Sequence, residues 1–221
     1  MSEESDGGER ARARGDRPER TVGDGEWPVV ESAVEYETGW YDGGYDLVEQ
    51  PNGTEKRYYW ADLPPAVVVV ALAEGPAVVD EGDPEGADRE RAPDRPGGRV
   101  VFVEQYRPVI RQTQMELPAG IVEEGESYTE AGLRELEEET GFAAESASLL
   151  QRYWVSTGAM RHERGIVFAE GLRPTEQRLD ENEFLTVRPV PVEEAVDVAR
   201  APPTNGATID GLLLAREEGL L

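Results

Sequence analysis

There is no cysteine anywhere in the 221 residues, which excludes disulfide frameworks and thiolate nucleophiles. A single histidine, His162, leaves no means of building a zinc cluster, and a lone histidine of this kind reads as a surface or loop residue. Lysine is almost missing as well: Lys56 is the one example among 22 Lys+Arg, so cationic work falls to arginine. The longest apolar run is AVVVVALA at 66–73. A membrane-spanning helix needs about 20 apolar residues, so this run reads as a buried β-strand. Residues 1–20 are rich in charge and contain no apolar segment, so no secretory signal is visible.

Carboxylate is in excess. The 47 Asp+Glu give a formal net charge of -25 and a pI near 4.3. At ordinary ionic strength such a field opposes compactness and repels phosphates. At molar salt the Debye length falls to about 3 Å and the repulsion disappears. These properties describe a cytoplasmic protein of a salt-loving organism, and they exclude nucleic acid and anionic membranes as partners.

A chain of this length can bury a substantial core. Residues 1–25 mix Glu, Arg, Gly and Asp without periodicity and read as a disordered tail. Over 26–63 the pattern turns to β: VVESAVEYE alternates, GWYDGGYDLVEQ follows, and Asn52-Gly53 is a two-residue hairpin signal before TEKRYYWADL. Three antiparallel strands in a small N-terminal sheet are predicted. Tyr58, Tyr59 and Trp60 gather at its end, as sheet packing or, for one of them, as a platform for a purine base. The main domain spans 64–221, where AVVVVALA and RVVFVEQY read as a hairpin of core strands carrying a mobile acidic insertion at 75–98. Further strands are expected at 149–155, 165–170 and 184–190. Helices are expected at 192–200 and 207–218, the second stopped by Gly219. The fold class that follows is α+β, an α/β/α sandwich around a mixed sheet.

The chemistry concentrates at 120–142, GIVEEGESYTEAGLRELEEETGF. Ser127 with Glu130 three residues on is a capping box, and Gly141 is a C-terminal stop, so a helix is predicted over 128–140. At about 100° per residue, Leu133, Leu136 and Thr140 share one side while Glu135, Glu138 and Glu139 share another arc. Like charges so placed repel one another. Arg134 lies at the edge of that arc and is expected to hold one carboxylate only, whereas a hard divalent cation such as Mg²⁺ would compensate all three. The alternative is a solvated acidic helix, common in a chain this acidic.

Gly120, Glu126, Arg134-Glu135-Leu136, Glu138-Glu139 and Gly141-Phe142 together resemble the Nudix hydrolase box at every fixed position. The resemblance implies a loop-helix-loop that holds Mg²⁺ or Mn²⁺ and hydrolyses a nucleoside diphosphate linked to a further group. It implies Glu135 and Glu139 as metal ligands, Glu138 as a ligand or helper, Arg134 as the residue orienting a glutamate, and Gly120 and Glu126 as shaping the loop.

The flanks VEQYRP, ELPAG and DENEF resemble those of ADP-ribose pyrophosphatases. That similarity implies a metal contact at the Ala119 carbonyl, a catalytic base and a further ligand shared between Glu181 and Glu183, and substrate contacts from Arg57, Arg107, Glu163 and Trp60. It also implies a homodimer formed through the N-terminal sheet. One departure concerns the substrate: a proline typical of that family beyond the box is replaced here by Ser156-Thr157-Gly158, which leaves another ADP-sugar or a GDP-sugar open. The expected reaction is metal-assisted cleavage of ADP-ribose, a small nucleotide, to AMP and ribose 5-phosphate, with Glu181 accepting the proton of the attacking water. Other nucleoside diphosphates or triphosphates, or a non-catalytic nucleotide sensor, are the alternatives. Intact Glu135, Glu138 and Glu139 argue against the sensor.

Overall fold

The computed structural model describes residues 26–74 and 98–221. The tail expected at 1–25, and residues 75–97 of the expected insertion, lie outside the described residues. In chain order the elements are β1 (Val29–Glu37), β2 (Asp42–Glu49), β3 (Glu55–Asp62), β4 (Ala66–Ala73), β5 (Arg99–Arg107), β6 (Gln112–Glu116), β7 (Ala119–Ile121), α1 (Tyr128–Thr140), β8 (Phe142–Ala143), β9 (Ser146–Trp154), β10 (Met160–Arg161), β11 (Glu163–Glu170), β12 (Arg173–Pro174), β13 (Leu185–Pro191), α2 (Val192–Arg200) and α3 (Gly206–Glu217). None of the described helices is long and apolar enough to cross a membrane.

The N-terminal strands form the antiparallel sheet β1-β2-β3, and the short β10 adds to β3 in parallel. Asn52-Gly53 does turn the β2–β3 hairpin, but within a longer loop. The Gln50 N–H donates to the Thr54 carbonyl and the Thr54 N–H to the Asn52 side chain. These local bonds open the turn beyond two residues.

The larger sheet runs β13-β5-β4-β11-β9, with β6 on β5 and β7 on β4. It is mixed, because β4 and β11 are parallel and the other pairs antiparallel. The apolar run of β4 is continuous because both of its faces are covered. Val68 and Val70 pack with Phe102, Leu117, Ile166 and Leu212 beneath α2 and α3, while Val69 and Ala71 pack with Val101 and Leu136 beneath α1. This is the expected α/β/α sandwich.

The hairpin expected between β4 and β5 survives only at its closed end, beside the connection between the two strands. These strands pair just at Leu72↔Val100 and Ala73↔Arg99, and then diverge. Into the gap fold β6, paired to β5, and β7, paired to β4, joined by Leu117-Pro118. The divergence carries the segment entering the carboxylate helix across the middle of the sheet.

Candidate active site

Helix α1 begins at the predicted capping box. Ser127 Oγ accepts the Glu130 N–H at 3.2 Å and Glu130 Oε2 accepts the Ser127 N–H at 2.9 Å. It ends at Gly141 with φ +70°, where a side chain would be strained. Its buried side includes Ala131, Gly132, Leu136 and Thr140 together with Glu135 and Glu139. Two of the three predicted carboxylates are therefore buried against the sheet, and Glu138 keeps 39% of its side chain exposed.

Arg134 does more than the single pairing expected of it. Its Nε and Nη2 grip the Glu126 carboxylate at 2.9 and 3.0 Å, Nη1 reaches Glu135 at 2.7 Å and Glu138 at 3.2 Å, and Nη2 also donates to the Ile121 carbonyl at 2.8 Å. A planar five-donor fork makes this possible, where helix angles alone suggested one partner. Arg134 thus ties the incoming loop to three carboxylates.

Glu139 lies beyond that reach. It is 4% exposed and accepts the Ala119 N–H at 3.0 Å. Burial pushes its carboxyl up to about 8; the Ala119 N–H opposes this, the Glu135 and Glu183 charges add to it, and Arg107 lowers it. Glu135 is also raised, first by burial and then by Glu138 and Glu183, against Arg134. Gly120 is required by the same packing. A Cβ there would meet the Glu135 carboxyl carbon at 2.0 Å.

This donor set fits a hard divalent cation: all its atoms are oxygen, the Glu135 charge raises Glu139, and the guanidiniums of Arg134 at Glu135 and Arg107 at Glu139 leave both carboxyls raised. Among the described residues no three His, Asp or Glu side chains close on one point. Glu135, Glu139 and the β7 backbone could hold such an ion only as an open half-site, which water and substrate oxygens would complete.

The remaining predicted residues divide. Glu183, on the loop before β13, acts electrostatically on both Glu135 and Glu139 and is held by the Asp180 N–H at 3.0 Å. Glu181, two residues earlier, is exposed. Arg107 lines a cleft of about 480 Å³ beside Ala119 and Gly120. Its Nε and Nη2 grip Glu116, and Glu116 Oε1 accepts the Asn205 side-chain amide at 3.0 Å.

Glu163 faces the other way, accepting the Tyr128 hydroxyl at 3.1 Å beside α1. Arg57 and Trp60 do not line the cleft of this chain. Arg57 lies over the Tyr45 ring, and the Trp60 indole carries the Arg161 guanidinium 3.9 Å from its centre and donates Nε1–H to Asp46. Of the two readings of the aromatic cluster, packing describes Trp60 within one chain.

His162 is not the surface residue expected. It is 7% exposed, its Nδ1 bonds the Pro64 carbonyl at 2.8 Å, and burial followed by the Arg164 charge lowers its pKa. Asn205, and the individual places of Glu116 and Arg164 in the cleft, escaped the sequence reading. Glu116 had a weak signal, as an acid at a core position of β6, but its partner Asn205 lies 89 residues away.

A NUDIX domain model matches residues 92–212. The chain is 32% identical over 156 residues to the ADP-ribose pyrophosphatase of Bacillus subtilis (strain 168), covering 70% of this chain and 72% of that protein. It is 31% identical over 153 residues to the methanol dehydrogenase activator of Bacillus methanolicus, covering 68% and 71% respectively. A crystal structure of an ADP compounds hydrolase superposes with a TM-score of 0.70 at 21% identity, covering 91% of this chain and 100% of that one. With its sandwich and carboxylate helix, this chain belongs to the Nudix family.

Proposed function

We propose that this protein is a Nudix hydrolase that cleaves the diphosphate bond of a nucleoside diphosphate sugar, with ADP-ribose giving AMP and ribose 5-phosphate as its main reaction. The observation that carries this is the pair of buried carboxylates, Glu135 and Glu139, packed onto Gly120 and braced by Arg134. Similarity to proteins named ADP-ribose pyrophosphatase and ADP compounds hydrolase supports the substrate class.

The ion assigned is Mg²⁺, with Mn²⁺ as its substitute, held by Glu135, Glu139, Glu183 and the Ala119 carbonyl. When bound, it neutralises the diphosphate and acidifies a water. Arg134 fixes Glu135 and leaves Glu138 beside it as a helper. Arg107, oriented by Glu116, offers a fork to the diphosphate. Water attacks phosphorus, the P–O–P bond breaks, and Glu181, exposed on a loop and free to approach, accepts the proton. Glu163 is assigned to the terminal ribose.

Residues 26–63 form a subdomain through which two copies pair, and Arg57 and Trp60 serve the neighbour's substrate across that interface. The working environment is a high-salt cytoplasm, consistent with a net charge of -25. The test is product release from ADP-ribose in molar KCl with Mg²⁺, beside GDP-mannose, diadenosine polyphosphates and nucleoside triphosphates. AMP and ribose 5-phosphate appearing fastest from ADP-ribose is the expected result. Faster release from another diphosphate makes residues 156–164, which begin with the Ser156-Thr157-Gly158 departure, the determinant of specificity, and no cleavage of any overturns the reading.

A further inference from the structure

The two faces of the central sheet carry opposite chemistry. Gly165, Val67 and Gly120 are register partners across β11, β4 and β7 and face α1, where Gly165 abuts Tyr128 and Gly120 abuts Glu135. Their neighbours Arg164, Ala66 and Ile121 form the next row, and alternation turns that row toward α3. Arg164 therefore points away from the carboxylate helix, into the cleft that Arg107, Ala119 and Gly120 also line. Two strand spacings, about 10 Å, separate its backbone from β7.

Arg164 stands out because, among the described residues, its Nε is the one buried side-chain nitrogen or oxygen without a hydrogen-bond partner, and no carboxylate lies within ion-pairing distance of it. Arg107, the other arginine of the cleft, is paired to Glu116. The neighbours of Arg164 are neutral or already engaged. Its Nη2 lies 3.4 Å from His162 Nε2. The Pro64 carbonyl can only accept, so His162 carries its proton on Nδ1 and turns a lone pair toward Arg164. The Tyr153 hydroxyl donates to Asp210 at 3.0 Å and accepts from the Arg164 guanidinium. The Arg164 Nε–H is buried and unpaired, so its desolvation is not offset by a hydrogen bond. A small rotation toward the cleft, onto an anion, supplies one.

We propose that Arg164 is a phosphate receptor on the α3 face of the sheet, which seats a phosphate of a nucleotide ligand in the cleft separately from the metal glutamates. Phosphate suits the site because a guanidinium edge presents two parallel N–H groups to two oxygens. The walls are mostly apolar, Leu63, Val68, Ile110 and Leu117 among them, so an uncompensated charge there gains from pairing. His162, kept neutral by burial and by its cationic neighbour, holds the guanidinium without cancelling it. The inference rests on the proposed function only in taking the ligand to be a nucleoside phosphate.

Calorimetric titration of the full chain with AMP and with adenosine, in molar KCl and EDTA, tests the site without metal or turnover. AMP is expected to bind about tenfold or more tightly than adenosine, and Arg164→Gln to erase that difference. Equal binding of the two ligands by the wild type, or a phosphate advantage that persists in Arg164→Gln, overturns the proposal. If Arg164→Gln fails to fold, Arg164→Lys serves in its place. It keeps the charge without the fork, and is expected to lose about threefold or more of the advantage; no loss overturns the proposal. Because no hydrolysis occurs in EDTA, an inactive enzyme that still prefers AMP fails only the proposed reaction, and an active one without that preference fails only the receptor.

Discussion

Glu139 is the residue at which stability and the proposed metal binding and catalysis meet. Its carboxyl titrates near 4.5 when unfolded and is held up at about 8 in the fold. The native state therefore keeps a proton that the unfolded chain gives up, so metal-free stability declines as pH rises from about 4.5 to 8 and levels off above that. Glu139→Gln removes the group. In EDTA the melting temperature of Glu139→Gln minus that of wild type is expected to grow between pH 5 and 8.5, and a constant difference would refute the assignment. At neutral pH, Mg²⁺ must displace that proton to use the carboxylate, so binding should release close to one proton, read from the buffer dependence of the binding enthalpy. Turnover of Glu139→Gln at saturating Mg²⁺ is expected to drop about 100-fold or more; a rate within a few-fold of wild type would remove Glu139 from the ligand set. Arg134 answers a different question, because it braces carboxylates from two segments. Arg134→Ala should destabilise the fold by roughly 2–3 kcal/mol in denaturant titration, as loss of several charge-assisted hydrogen bonds implies.

Helix α1 is the element whose position the site depends on, and its ends follow directly from the sequence. Capping box and terminal glycine both act within a few residues, so the predicted bounds of 128–140 coincide with the observed Tyr128–Thr140. Ser127→Ala should cost about 1 kcal/mol with little effect on metal affinity. Gly120→Ala should do the reverse. Its Cβ would stand 2.0 Å from the Glu135 carboxyl, so the helix or the side chain must shift, lowering Mg²⁺ affinity by about tenfold or more while the global melt changes little. A Gly120→Ala protein with wild-type Mg²⁺ affinity would show that β7 does not set the position of Glu135. Less legible were features set by distant partners. The brief pairing of β4 with β5, the addition of β10 to β3, the burial of His162 under Pro64 and the Glu116–Asn205 bond all join segments with no local signal. The carboxylate face was legible because it lies on one helix. The cleft opposite was not, because five separate segments build it.

The whole molecule sets two opposing terms against each other at the N-terminal sheet. Val34, Tyr36 and Tyr59 are more than half exposed there, and edge strand β1 is exposed along nearly its whole length. Apolar area and an open strand edge both favour pairing with a second copy. Charge opposes it: two chains at -25 each bring -50 together. The apolar term changes little with KCl, whereas the repulsion falls as the Debye length shortens from about 10 Å at 0.1 M to 3 Å at 1 M. Assembly should therefore depend on salt. Light scattering on a sizing column is expected to give a mass near 24.3 kDa at low salt and twice that in molar KCl. Val34→Asp should hold the chain as a monomer at every salt, through an added charge on the apolar face. If Arg57 and Trp60 act across the interface, the same variant should raise KM for ADP-ribose in molar KCl with the metal helix undisturbed, whereas Glu139→Gln should lower kcat in a dimer of normal mass. A monomer at all salts, fully active, would confine the site to one chain and leave Arg57 and Trp60 as sheet residues.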